Sequence, residues 1–259
     1  MPKNAALFVG QAVLFLSSPF LLWQIFVWVF APKAIVFPAP LDAFATFVGP
    51  QSTLLWSALT DSLAVLVFSV PIAVFVGVSL ALVFSLFSSV RALALPALVG
   101  IFAMPIYALN RALFSVMQLG FGTKVLVAAL ILYFPVLVAG LVGLRSIEPS
   151  VIEAAKLDGA SRSQILIQIM LPLAGPALAG GLLAAGAVAP LALFAAEQTG
   201  SPGGLGQLIR SQFVQNVDLA FGGVALLILI GLALFVLADG VRRLLSLNNP
   251  DTFEQLKRN

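Results

Sequence analysis

The chain has 259 residues, 61% of them hydrophobic and only 9% charged, with a formal net charge of +3 and a mean hydropathy of +1.12. An ordinary soluble domain is about 25% charged and about 45–50% apolar, so lipid rather than water must solvate most of this surface. There are no cysteines and no histidines, which excludes disulfides and the usual transition-metal ligand sets, and the sparse basic residues leave no nucleic-acid footprint.

A membrane-spanning helix needs about 20 apolar residues. Six segments qualify, roughly 7–31, 57–86, 92–110, 123–145, 172–196 and 219–241. The first runs through "LLWQIFVWVFA" without a small-residue cleavage site, so it reads as a retained anchor rather than a signal peptide. The second is too long for one upright span, and Pro71 in its middle permits a kink or tilt. Pro71, Pro105, Pro135, Pro176 and Pro190 fall inside spans, as do Gly180, Gly181 and Gly186. Two readings stand side by side. Small residues let helices pack closely, and broken helices are tolerated where they line a cavity.

Orientation follows from lysine and arginine. With the N-terminus inside, Lys3, Arg91, Arg145, Lys156, Arg162, Arg242, Arg243, Lys257 and Arg258 are cytoplasmic, while Lys33, Arg111, Lys124 and Arg210 lie outside. The bias of basic residues toward cytoplasmic loops therefore favours both termini in the cytoplasm.

Under that topology one cytoplasmic loop is unusual. "EAAKLDGASRSQILIQIMLP", residues 153–172, is polar and structured between two oily spans. Pro149 suits the first position of a helix, and "SVIEAAKL" continues it. Gly159 is placed to end that helix in a left-handed conformation. Ser161 then caps a second helix, and Gln164 completes a capping box. Ile165, Leu166 and Ile169 give that helix an apolar face leading to the membrane at Pro172. The residues alone leave two readings: a surface to which another protein docks, with Ala154 and Ala155 permitting close approach and Glu153 offering a charge, or an amphipathic helix resting on lipid.

Few ionisable residues lie in or near the spans: Asp61, Arg111, Glu197 and Asp239. Charges at membrane depth are costly and often functional. Each of these lies within reach of a span end, where snorkelling also accounts for it. Asp239 precedes Arg242 and Arg243 and is placed for a local ion pair. Arg111 and Lys124 flank an external loop and read as solvated charges, with contact to an external protein as the other reading. "GFGTK" (120–124) lacks the spacing of a phosphate-binding loop, so no ATP site and no cofactor motif is present.

The pattern E-A-A, three residues, G, nine residues, I-x-L-P is met by Glu153, Ala154, Ala155, Gly159, Ile169, Leu171 and Pro172. Seven fixed positions coincide by chance only on the order of once in 10⁷ starts. The segment resembles the signature of ABC-importer permease subunits, the inner-membrane components of binding-protein-dependent transport systems. That resemblance implies a coupling helix docking on a cytoplasmic ATPase through these seven residues. It also implies two ABC ATPase subunits, an extracytoplasmic substrate-binding protein, a second permease copy (identical or different) and the plasma membrane of a bacterium.

"VFPAPLDAFATF" (36–47), "MPIYALNRALFSVMQLGFGTK" (104–124) and "LPLAGPALAGGL" followed by "AAEQTGSPGGLGQLI" are similar to segments of permeases for nitrate, taurine, alkanesulfonates and bicarbonate. Glu197 occupies that branch's A-E element, and the resemblance makes it a candidate for shaping an outer gate. Asp61 and Pro190 are further candidates for the translocation path or its gate. The chain departs from the branch at Val65, Ser69, Leu183 and Pro190, where arginine, glycine, arginine and an aromatic are common. Loss of two basic residues suits a neutral or less polar solute better than a small anion of the sulfonate or nitrate type, or else marks this chain as the divergent half of a heterodimer. The resemblance also extends to permeases for vitamin-precursor pyrimidines.

The expected architecture is all-helical: six spans forming one membrane domain over 1–259, with a coupling loop at about 146–172 and no catalytic or metal-binding residues. A self-sufficient secondary transporter or channel is the alternative, but it would show inverted repeats and paired charges at the bilayer midplane. An intramembrane enzyme lacks the groups for nucleophilic or metal chemistry.

Overall fold

The computed structural model describes residues 2–34, 36–104, 106–117, 120–198 and 202–247. Among these the fold is entirely helical. In chain order the helices are α1 (Pro2–Phe30), α2 (Pro40–Ala45), α3 (Ser52–Leu86), α4 (Ser88–Ala103), α5 (Ile106–Met117), α6 (Phe121–Arg145), α7 (Pro149–Leu157) and α8 (Arg162–Gln164). A π-helical turn (Ile165–Met170) follows, then α9 (Leu171–Leu173), α10 (Gly175–Glu197), α11 (Leu205–Gln212) and α12 (Val217–Leu247).

Among the described residues, four helices are long and apolar enough to cross a membrane: α3, α6, α10 and α12. The first expected segment lies in α1, a continuous helix of 29 residues. The third is divided into α4 and α5 rather than running unbroken over 92–110. Met104, the residue before Pro105, is extended at φ −62° and ψ 142°. A following proline pushes its predecessor out of the helical region, which ends α4 there. Pro105 itself, the side chains of Lys3 and Arg111, and all of Lys257 and Arg258 lie outside the described residues.

α6 is the central helix, with buried residues all round its circumference. Such a helix has no polar face to offer solvent and must be enclosed by others. α3 packs on one side of it and α10 on another, and α12 packs on α10. Small residues set these distances. A Cβ on Gly77 of α3 would come within 2.9 Å of the Tyr133 carbonyl oxygen. One on Gly181 of α10 would lie 3.1 Å from the Pro135 carbonyl oxygen. The backbones touch there, so dispersion contacts replace the hydrophobic effect that lipid does not supply.

α1 lies against α12 and the segment after it through aromatic contacts. Trp23 is buried, its ring 5.4 Å from Phe221 and 6.1 Å from Phe37. Its indole Nε1–H donates to the Pro38 carbonyl at 3.0 Å, which satisfies the one polar atom the ring buries.

Pro190 and Gly231 mark the α10–α12 crossing, where a Cβ on Gly231 would stand 2.5 Å from Pro190 Cγ. Gly231→Val therefore overpacks this contact and should cost about 1–3 kcal/mol. Its heat-denaturation midpoint in detergent should fall clearly below that of Gly180→Ala, because Gly180 has open space around it. Equal midpoints would show that this crossing does not hold the bundle together.

Candidate functional site

Two polar features occupy opposite ends of the bundle. One end carries the hairpin of α7 and α8. The other, where α3, α6 and α12 begin and α10 ends, carries the loop leading into α11.

The hairpin forms as its local sequence dictates. Gly159 has φ +82°. Its N–H donates to Lys156 O at 3.1 Å, and the Ala160 N–H donates to Ala155 O at 3.0 Å. That pair is the Schellman arrangement, which satisfies carbonyls left over at the end of α7. Ser161 Oγ accepts from the Gln164 N–H at 3.3 Å, and Gln164 Oε1 accepts from the Ser161 N–H at 2.8 Å, so the capping box is present.

Its continuation differs from a plain α-helix. Over Ile165–Met170 the chain widens into a π turn, closed by the Leu171 N–H on Leu166 O. Pro172 has no N–H to return to Gln168, and its ring would strike that carbonyl in an α register; the wider turn relieves both conflicts.

Ala155, Ile165 and Met170 are buried, and Leu166 and Ile169 pack on the core. Facing outward are Glu153, Ala154, Lys156, Asp158, Gly159 and Leu157, the last 88% exposed. The two alanines thus divide: close approach is open at Ala154, whereas Ala155 packs inward. Leu171 is half-buried and Pro172 exposed.

At the loop end the polar groups converge. Glu197 is 0% exposed. Its Oε1 accepts from Ser62 Oγ at 2.7 Å, and its Oε2 accepts from the Gly206 N–H at 2.7 Å. Ser62 Oγ in turn accepts from the Leu205 N–H at 2.9 Å. The first two N–H groups of α11 are therefore capped by side chains from α3 and α10, and a carboxylate sits where the helix dipole favours it. Lys124, 3% exposed, donates from Nζ to the carbonyls of Pro202 and Gly203, each at 2.7 Å. Asp61 is exposed at the rim, where a Cβ on Gly203 would collide with its carboxylate.

Backbone shape makes room for this. Gly203 and Gly204 have φ +85° and +94°. A Cβ on Gly204 would run into the Glu197 carboxyl group.

Asp61 and Glu197 are thus brought to one cluster, while Pro190 sits roughly two turns down α10 from Glu197, at the α12 crossing. Lys124 is a correction. It is not a solvated loop charge, because the 202–203 carbonyls fold over it and accept hydrogen bonds from its ammonium group. Ser62 carried no signal in the sequence, since an isolated serine on an apolar helix has many bland uses. Asp239 forms the local pairs expected of it, 2.6 Å from both Arg242 and Arg243.

Between α3, α6, α10 and α12 lies a cavity of about 180 Å³ with apolar walls, among them Val70, Leu132, Gly186 and Leu234. Among the described residues no group of three or more acidic side chains could hold a metal ion.

Residues 59–247 match the family described as binding-protein-dependent transport system inner membrane component. The chain is 31% identical to a probable ABC transporter permease protein of Haemophilus influenzae, over 85% of this chain and 89% of that one. It is 30% identical to the taurine transport system permease protein TauC of Escherichia coli, covering 79% and 74%. It is 38% identical to the riboflavin transport system permease protein RibX of Chloroflexus aurantiacus over a shorter stretch, 58% and 56%. Among solved structures, the inward-facing MetNI methionine ABC transporter superposes with a TM-score of 0.65 at 18% identity, covering 76% of this chain and 98% of that one. That likeness extends to the fold. The chain belongs to the inner-membrane components of binding-protein-dependent transport systems, and it is a permease subunit of an ABC importer.

Proposed function

We propose that this permease works as one membrane domain, in two copies or paired with a second permease, with both termini and the α7–α8 hairpin in the cytoplasm. Two ABC ATPases dock on the hairpins through Glu153, Ala154, Gly159 and the turn that Ile169, Leu171 and Pro172 shape. Ala155 contributes from behind by seating α7. ATP-driven closure of the ATPases rocks the permeases between inward- and outward-open states. A binding protein delivers solute at the loop end, where Asp61 is exposed and Glu197 and Pro190 shape the path without touching solute. The chain catalyses nothing itself; ATP hydrolysis belongs to its partners.

The observation that carries the docking role is the hairpin's outward face. It is locally rigid at both caps, and it displays polar groups and a bare leucine away from the bundle. For the solute, the apolar walls of the four-helix cavity and the full engagement of Lys124 favour an uncharged compound of the vitamin-precursor kind. Similarity to TauC keeps small sulfonate-type anions as the second reading.

Gly159→Val tests the docking. Valine at φ +82° distorts the turn, while Gly159→Asn tolerates the left-handed region. In a mild-detergent pull-down, the valine variant should insert normally yet lose most of its associated ATPase, and the asparagine variant should keep it. Undiminished ATPase recovery with valine would sink the docking role. Masses of the co-purifying chains identify the binding protein, which can then be screened with riboflavin and taurine.

A further inference from the structure

The network at the loop end contains two buried ionisable groups, Lys124 and Glu197, that the docking account does not use. We infer that Lys124 is a positioning residue. Together with Ser62 and Glu197 it holds the 202–204 loop shut over the ends of α3, α6 and α10 throughout the transport cycle. The loop is a fixed seal rather than a lid. This inference rests on the orientation and ATPase partnership proposed above.

Satisfaction of the polar groups carries the argument. Both carboxylate oxygens of Glu197 are engaged, one by α3 and one by α11. The Lys124 ammonium bonds two loop carbonyls and is attracted by both Glu197 and Asp61. Ser62 joins the two sets by donating to Glu197 and accepting from Leu205. Lifting the loop would break both Lys124 bonds to its carbonyls and, with them, the bonds of Ser62 and Glu197 to the start of α11. The ammonium and one carboxylate oxygen would be left without hydrogen-bond partners beside apolar helix ends, where unsatisfied polar groups are costly. The loop thus ties α10 and α11, which it joins in sequence, to α3 and α6, which lie far away in sequence. The tie also has no slack: Gly203 and Gly204 press against Asp61 and Glu197 so closely that a single methyl does not fit. A second tie lies alongside, from Asn216 Nδ2 to Gln51 Oε1 at 2.7 Å, joining the start of α12 to the start of α3.

The chain has no native cysteine, so an introduced thiol reports alone. Ser62→Cys keeps a weaker S–H donor and sulfur acceptor in place of the hydroxyl and puts a thiol beneath the seal. An unchanged heat-denaturation midpoint is the check that the network survives. Asp61→Cys places a thiol at the exposed rim. Membranes containing the complex are treated with a charged, membrane-impermeant methanethiosulfonate reagent from the extracytoplasmic side, without nucleotide and after trapping with ATP and vanadate. The thiol at position 61 should react in both states and the thiol at 62 in neither. Adding Lys124→Met should make position 62 reactive, with a rate increase of at least tenfold, without releasing the ATPase.

Reaction at 62 that appears only after trapping would make the loop a lid and overturn the inference, as would reaction at 62 in both states. Continued protection at 62 in the Lys124→Met background would remove the role of Lys124. Failure elsewhere reads differently. Reaction at 61 only from the cytoplasmic side would reverse the proposed orientation, and absence of vanadate trapping would count against the ATPase partnership. In either case, protection at 62 from whichever side reaches position 61 still tests the seal.

Discussion

Glu197→Ala should abolish the folded permease more completely than any other single side-chain truncation at the loop end. The substitution leaves the Lys124 ammonium without its buried counter-charge, the Gly206 N–H without an acceptor and Ser62 Oγ without the group it donates to. Each buried hydrogen-bonding group left unsatisfied costs about 1–3 kcal/mol, so losing both acceptors at once takes away a large share of the net stability of many domains. Glu197→Gln should be intermediate. Its carbonyl oxygen still accepts one of the two bonds, and its amide faces the other donor with a donor of its own. Yield of monodisperse protein in detergent and the heat-denaturation midpoint provide the readout. The expected order is wild type, then glutamine, then alanine. If alanine matched glutamine, the buried charge would contribute nothing beyond its volume.

Gly204→Ala should have the second large effect, for a reason unrelated to charge. Gly204 stands at φ +94° and ψ 155°, a region that is essentially reserved for glycine. The added methyl would also enter the volume of the Glu197 carboxyl group. Backbone strain of about 1–3 kcal/mol thus adds to a steric conflict that only displacement of Glu197 relieves. Gly159 is the instructive contrast: it too has positive φ, but nothing lies within 4 Å of where its Cβ would be. Alanine at 159 pays only the left-handed penalty, about 1–2 kcal/mol, on an exposed turn. Measured side by side, Gly204→Ala should lose most of its folded yield while Gly159→Ala retains it. Equal losses would mean that the loop end accommodates the methyl by moving, contrary to its tight packing.

The two ends of the molecule were unequally legible in the amino-acid sequence. The hairpin could be read residue by residue because every device in it is local. Pro149 starts a helix, Gly159 ends it, and Ser161 and Gln164 cap the next within a span of three residues. The long spans were legible for a similar reason, since apolar length is a property of one contiguous segment. The loop-end network was not. Ser62 and Glu197 are 135 residues apart, and Lys124 and Gly203 are 79 apart. No periodicity or spacing connects such pairs. Lys124 was misread because its place at the start of α6 looks like a loop position until the 202–203 carbonyls cover it. The π turn escaped for another reason: Pro172 announces a break in the α register, but it does not say whether the chain will kink or widen.

Among the described residues, the polar ties of Ser62 to Glu197, of Lys124 to the 202–203 carbonyls and of Gln51 to Asn216 all join α3, α6, α10, α11 and α12 at one end of the bundle. Toward the hairpin end, α3, α6 and α10 meet through surfaces such as Ala81, Gly140, Gly143, Ala177 and Leu178. Hydrogen bonds are directional and fix register, whereas contacts between hydrocarbon groups are not directional and permit small slides. The helices are therefore pinned in register at the loop end, while the surfaces they share toward the hairpin set only how closely they approach.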